Sequence, residues 1–80
     1  MQVGLSGPLR AAANGEASIN IEAETIRELL NHLLERYPAM QQHMDIGIAV
    51  SIDGAIYRDN WATRIPEGSE VFLLPRIAGG

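Results

Sequence analysis

Eighty residues allow one domain, and a domain of that size buries only about 60–65% of the surface its unfolded chain exposes, which leaves no room for a deep internal substrate pocket. Apolar residues at 46% and charged residues at 20% give a globular composition rather than a disordered one. The net charge is −4, and all the basic residues are arginines scattered along the chain (Arg10, Arg27, Arg36, Arg58, Arg64 and Arg76), so no basic stripe exists for nucleic acid and an acidic surface suits a basic protein partner better.

In chain order, residues 1–6 carry Val3 and Leu5 in alternation and read as a first strand. Residues 7–15 open on Gly7-Pro8 and close on Gly15, which predicts a helical turn or two. Residues 17–21 alternate again, with Ile19 and Ile21 on one face. A helix is predicted over residues 25–37: Ile26, Leu29, Leu30, Leu33, Leu34 and Tyr37 form one stripe of a 3.6-residue period. Thr25 and Glu28 have the spacing of a capping box, and Pro38 closes the pattern. Arg27, Glu28, Asn31, His32, Glu35 and Arg36 fall on the opposite, solvated face. Ile46, Ile48, Val50 and Ile52 then alternate with small residues, predicting a strand over 46–52 with one apolar face. Asp53-Gly54 signals a hairpin into a short return strand, 55–57. A last strand covers residues 70–75.

One helix and one sheet make an α+β domain in which the helix stripe covers one face of the sheet and the other stays partly open. The division expected is a domain over 1–76 and a flexible tail over 77–80. The N-terminus has neither a charged nor an apolar signal region, and no apolar run approaches a membrane span, so a cytoplasmic protein is expected.

Conventional active-site material is sparse. There is no cysteine, hence no disulfide, zinc–thiolate site or cysteine nucleophile. His32 and His43 lack metal-ligand spacing and read as surface residues. The carboxylates are dispersed, as in Glu22/Glu24 and Glu67/Glu70, and read as solvated turns and faces. Gly4, Gly7 and Gly15 do not form a phosphate loop, and Tyr57 and Trp61 read as core or rim packing, with a partner contact as the alternative.

The tail carries more. Gly79-Gly80 follows directly on the apolar run Val71-Phe72-Leu73-Leu74-Pro75, so a short segment projects from a rigid strand. Without side chains, the two glycines can thread a narrow channel in a partner. A carboxylate at Gly80 is a poor acyl donor until it is converted to a mixed anhydride, most simply an acyl-adenylate. That chemistry asks for a separate, ATP-using enzyme. There is no lysine, so chains cannot be built on this protein's own side chains. If Val71 and Leu73 face the helix, Phe72 and Leu74 lie on the open face beside the tail and form a docking patch.

Several motifs, in this order and at this spacing, resemble the MoaD/ThiS family of ubiquitin-like sulfur carriers, and within it the small subunits of molybdopterin synthase. They are Leu9-Arg10 with Gly15, Thr25-Ile26-Arg27-Glu28-Leu29-Leu30, Glu35-Arg36-Tyr37-Pro38, Val50-Ser51-Ile52-Asp53-Gly54, Ile65-Pro66-Glu67-Gly68-Ser69-Glu70-Val71 and Leu74-Pro75-Arg76-Ile77-Ala78-Gly79-Gly80. The resemblance implies a β-grasp fold, a mixed sheet of four to five strands on one main helix. It implies adenylation of Gly80 by a ubiquitin-activating-type adenylyltransferase, then sulfuration to a thiocarboxylate that donates sulfur. No bound cofactor and no catalytic residue of the chain's own are implied, since ATP is used by the activating partner. In a molybdopterin synthase the large subunit would receive the tail, with Phe72, Leu74, Pro75, Arg76 and Ile77 at the partner contact. Sulfur delivery to thiazole or cysteine synthesis, and conjugation to other proteins as a modifier, stand as alternatives. Arg76 replaces a proline of the family pattern and Ser69 an aspartate, and a charge near the carboxylate can alter which enzyme or acceptor is used.

Overall fold

A computed structural model describes residues 1–75. The elements in chain order are β1 (Gln2–Leu5), α1 (Pro8–Ala12), β2 (Ser18–Asn20), α2 (Ile26–Arg36), α3 (Met40–Ile46), β3 (Ile48–Ile52), β4 (Ala55–Tyr57) and β5 (Val71–Pro75). Five strands form one sheet in the order β2-β1-β5-β3-β4. The pair β1–β5 is parallel, and the other three pairs are antiparallel. The first and last strands of the chain therefore lie side by side in the middle of the sheet. This is the β-grasp arrangement, α+β, with one main helix across one face.

The alternation of each strand decides which side chains meet that helix. Val3, Leu5, Ile19, Val50, Ile52, Val71 and Leu73 are buried together with Ile26, Leu29, Leu30 and Leu33 of α2. Each large side chain so buried contributes on the order of 1.5–3 kcal/mol. Leu34 and Tyr37 complete the helix stripe as half-buried packing at its edge. Thr25 caps α2 as predicted, its Oγ1 accepting from Glu28 N at 3.2 Å. The reciprocal arm reaches one residue further back than a capping box requires: Glu28 Oε1 accepts from Glu24 N at 3.3 Å. The remaining orphan amides of the first turn are taken by a loop, with Ile26 N donating to Thr63 O (3.1 Å) and Arg27 N to Trp61 O (2.8 Å). Trp61 and Tyr57 pack against the core from its rim.

The turn at Asp53-Gly54 has positive φ at both residues, 49° and 90°, which gives it the twist that closes a two-residue hairpin. Asp53 also ties that hairpin to the start of β5. Its Oδ1 accepts from Glu70 N at 2.8 Å and its own N donates to Glu70 O at 2.9 Å.

One expectation fails. Ile46 is not the first inward residue of a strand over 46–52. It is the last residue of α3 and is 64% exposed. Gly47, at φ 122°, turns the chain between helix and strand, so the alternation that links Ile46 to Ile48 in the sequence is interrupted in space. Among the described residues no helix is long and apolar enough to cross a membrane. The expected boundary between domain and tail at residues 76 and 77 lies outside the described residues.

Candidate functional site

The strand that leads to the chain's end is central, not an edge, and its two faces differ in what covers them. Val71 and Leu73 are each 1% exposed beneath α2, whereas Phe72 is 41% exposed on the opposite face and Leu74 is half-buried there. Register extends this face sideways, because residues paired across a sheet share a face. Phe72 pairs with Gly4 on β1 and with Ser51 on β3, and Ser51 pairs with Ile56 on β4. Leu74 pairs with Ala49.

The result is an apolar relief. Phe72 and Leu74 stand on β5. Ser51 and Ala49 form a low strip beside them, buried although they point away from the helix. Ile56, 47% exposed, stands on the far side. Three large hydrophobic residues are more than a third exposed among the described residues, Ile46, Ile56 and Phe72, and two of them belong to this row. Apolar exposure gathered on one face makes that face the candidate for a protein contact.

The expected contact residues are only partly brought together. Phe72 and Leu74 share the open face as predicted. Pro75 does not: it pairs with Ile48, a core residue, on the helix side of the sheet. Arg76 and Ile77, and the glycines Gly79 and Gly80 expected to carry the chemistry, lie outside the described residues. Ile56, Ala49, Ser51 and Gly4 were missed as parts of this face. The signal for Ile56 was present, since a two-residue turn at Asp53-Gly54 sets Ile52 against Ala55 and Ser51 against Ile56. For Gly4 no signal existed until β1 was known to adjoin β5.

Elsewhere the described residues offer little catalytic chemistry. His32 and His43 sit on different helices, and the His32 Nδ1–H donates to Glu22 O at 2.7 Å. No group of three or more His, Asp or Glu among the described residues could hold a metal ion. No buried side-chain N or O there lacks a hydrogen-bond partner.

A β-grasp whose central last strand borders an apolar open face is a ubiquitin-like protein. The chain belongs to the ThiS family of sulfur carriers, which matches it over residues 3–80. No curated protein matches it. Among solved structures it is similar to small archaeal modifier protein 1 from Methanosarcina acetivorans, at 25% identity and a TM-score of 0.79 over 99% of this chain and 94% of that one. It is similar to a chain of the BexX/CysO complex of Amycolatopsis orientalis at 19% identity, TM-score 0.77, over 99% and 98%. It is also similar to a chain of the complex of subunits 1 and 2 of molybdopterin-converting factor from Helicobacter pylori, at 24% identity, TM-score 0.67, over 99% and 96%. The last two are complexes of two proteins.

Proposed function

We propose that this chain is a sulfur carrier whose Gly80 carboxylate is activated as an adenylate and converted to a thiocarboxylate, with molybdopterin synthesis as its destination. The observation that carries the reading is the reach of the family match, which extends through residue 80 and so includes Gly79-Gly80. The apolar face beside β5 supplies a surface for the partner that the chemistry needs. The likeness to a chain of the molybdopterin-converting factor complex supports the destination.

A carboxylate oxygen of Gly80 attacks the α-phosphorus of ATP on a ubiquitin-activating-type adenylyltransferase, and pyrophosphate leaves. Hydrosulfide then attacks the acyl carbon and AMP leaves with the bridging oxygen, so one oxygen of Gly80 is exchanged for sulfur and a proton is released. The carrier supplies the acyl group and a docking face. It binds no cofactor and contributes no catalytic residue, because the enzyme holds ATP and its metal. The thiocarboxylate next enters the large subunit of a molybdopterin synthase, where its sulfur bonds to a carbon of the acceptor and water cleaves the acyl–sulfur bond, restoring the Gly80 carboxylate.

The test is intact-mass measurement after incubation with the adenylyltransferase of the same organism, Mg-ATP and sulfide. The expected result is a mass gain equal to the difference between sulfur and oxygen, absent when Gly80 is deleted and absent without ATP. No gain with any adenylyltransferase of that organism would overturn the reading. Transfer of the sulfur to a molybdopterin synthase large subunit, against transfer to a thiazole or cysteine synthase, then decides the destination.

A second reading, a modifier joined to amines of other proteins, is favoured by the likeness to small archaeal modifier protein 1. High-mass adducts linked through Gly80 in cells would support it, and free carrier alone would count against it.

A further inference from the structure

Gly4 is a glycine in the interior of the sheet, on a strand with neighbours on both sides. Glycine weakens such a strand, so its presence calls for a reason. The usual reason is absent. The glycines with positive φ among the described residues are Gly7, Gly15, Gly47, Gly54 and Gly68, and Gly4 is not one of them. Its backbone would accept any L-residue. What a side chain would meet is the ring of Phe72: a Cβ on Gly4 would lie 2.5 Å from Phe72 Cε1 and in still closer conflict with Cδ1, and the three atoms nearest to it all belong to that ring.

The ring of Phe72 therefore reaches sideways to β1 and fills the space above Gly4 that a side chain there would take. An aromatic ring laid over a strand glycine is a known means of covering the gap that the glycine leaves. Here the gap lies in the face that docks the partner, and Phe72 is the most exposed large apolar residue of β5. Reaching toward β1, the ring is held on the side of β5 away from the Ser51–Ala49 strip of β3. A side chain at residue 4 would displace it from that place.

We propose that Gly4 is a positioning residue for docking: by having no side chain it lets the Phe72 ring take the place beside β1 in which the activating enzyme recognises it. The proposal rests on the docking reading above. It predicts that Gly4→Ala folds, because the obstructing atoms belong to a ring that can swing away and not to backbone. It predicts equally that the docking face changes shape.

The experiment is ATP–pyrophosphate exchange by the adenylyltransferase of the same organism, with the full-length carrier as the varied substrate. Four proteins are compared: wild type, Gly4→Ala, Phe72→Ala and the double variant. Gly4→Ala should raise KM for the carrier about tenfold with kcat unchanged, since a perturbed docking residue at an interface acts on binding and the tail chemistry is untouched. In the Phe72→Ala background the same substitution should change KM less than about twofold, because the coupling runs through the ring. A second measurement reads the ring itself. Its current should displace the Gly4 α-proton resonances in the NMR spectrum of the free carrier, and Phe72→Leu should abolish that shift.

Unchanged KM in Gly4→Ala overturns the proposal, as does an equal effect in both backgrounds or an absent ring-current shift. If Phe72→Ala itself leaves KM unchanged, the docking reading has failed and takes the proposal with it. If Phe72→Ala raises KM and Gly4→Ala does not, only the role of Gly4 falls.

Discussion

The two faces of β5 differ in everything except their sequence composition. Val71 and Leu73 on one side, and Phe72 and Leu74 on the other, are all large and apolar, and successive residues differ only in which way the pleat points them. One pair is sealed under α2, while Phe72 keeps 41% of its surface in water. The same side-chain chemistry is therefore core on one face and, on the other, the surface proposed for recognition. An apolar strand within a small domain is read correctly only when it is known what covers each side.

The sharpest way to break that comparison is to truncate one residue on each face. Leu73→Ala removes a buried side chain and should cost about 2–5 kcal/mol. Against a total stability on the order of 4–12 kcal/mol for a domain of this length, that should lower the urea midpoint steeply or unfold the chain. Phe72→Ala should shift stability by no more than about 1 kcal/mol, as a half-exposed residue does. In the exchange assay, however, it should raise KM by roughly 30-fold, the loss typical of an interface hot spot. If Phe72→Ala destabilised as much as Leu73→Ala, the open face would be core and not a docking surface.

A smaller effect tests how β5 is anchored. Asp53→Ala deletes the acceptor for Glu70 N and leaves a non-glycine residue without a local hydrogen-bonding side chain at φ 49°. Together these should cost about 1–2 kcal/mol, with faster exchange of the Glu70 amide. Asp53→Asn keeps an acceptor oxygen and tolerates that φ, and should restore most of the loss. The smallest effect belongs to Ile46. Ile46→Gln should change stability by less than about 0.5 kcal/mol, because the residue is 64% exposed at the end of α3. As an inward strand residue it would instead have cost several times that.

The last of these marks where sequence reasoning strayed. α3 has only Met40 and Met44 at helical spacing, its N-cap residue Ala39 provides no side-chain cap, and polar residues surround them. Neither periodicity nor capping announces such a helix. Ile46 then fell by chance into phase with Ile48, Val50 and Ile52. The long helix α2, by contrast, was legible in its stripe, its cap and its closing proline. So was the turn at Asp53-Gly54, where local chemistry alone demands positive φ.

By itself the sequence determined the identity and period of the main elements, the inward and outward residues of β5, and the glycine pair after it, because these follow from local backbone geometry and from solvent. The tertiary structure alone decided the order of the strands. It set β5 between β1 and β3, aligned Phe72 with Ser51 and Ile56, and brought Gly4 beneath the Phe72 ring. Alternation assigns a residue to a face of its own strand. Which strands lie side by side is settled by long-range pairing, and only that pairing turns separate outward residues into one surface.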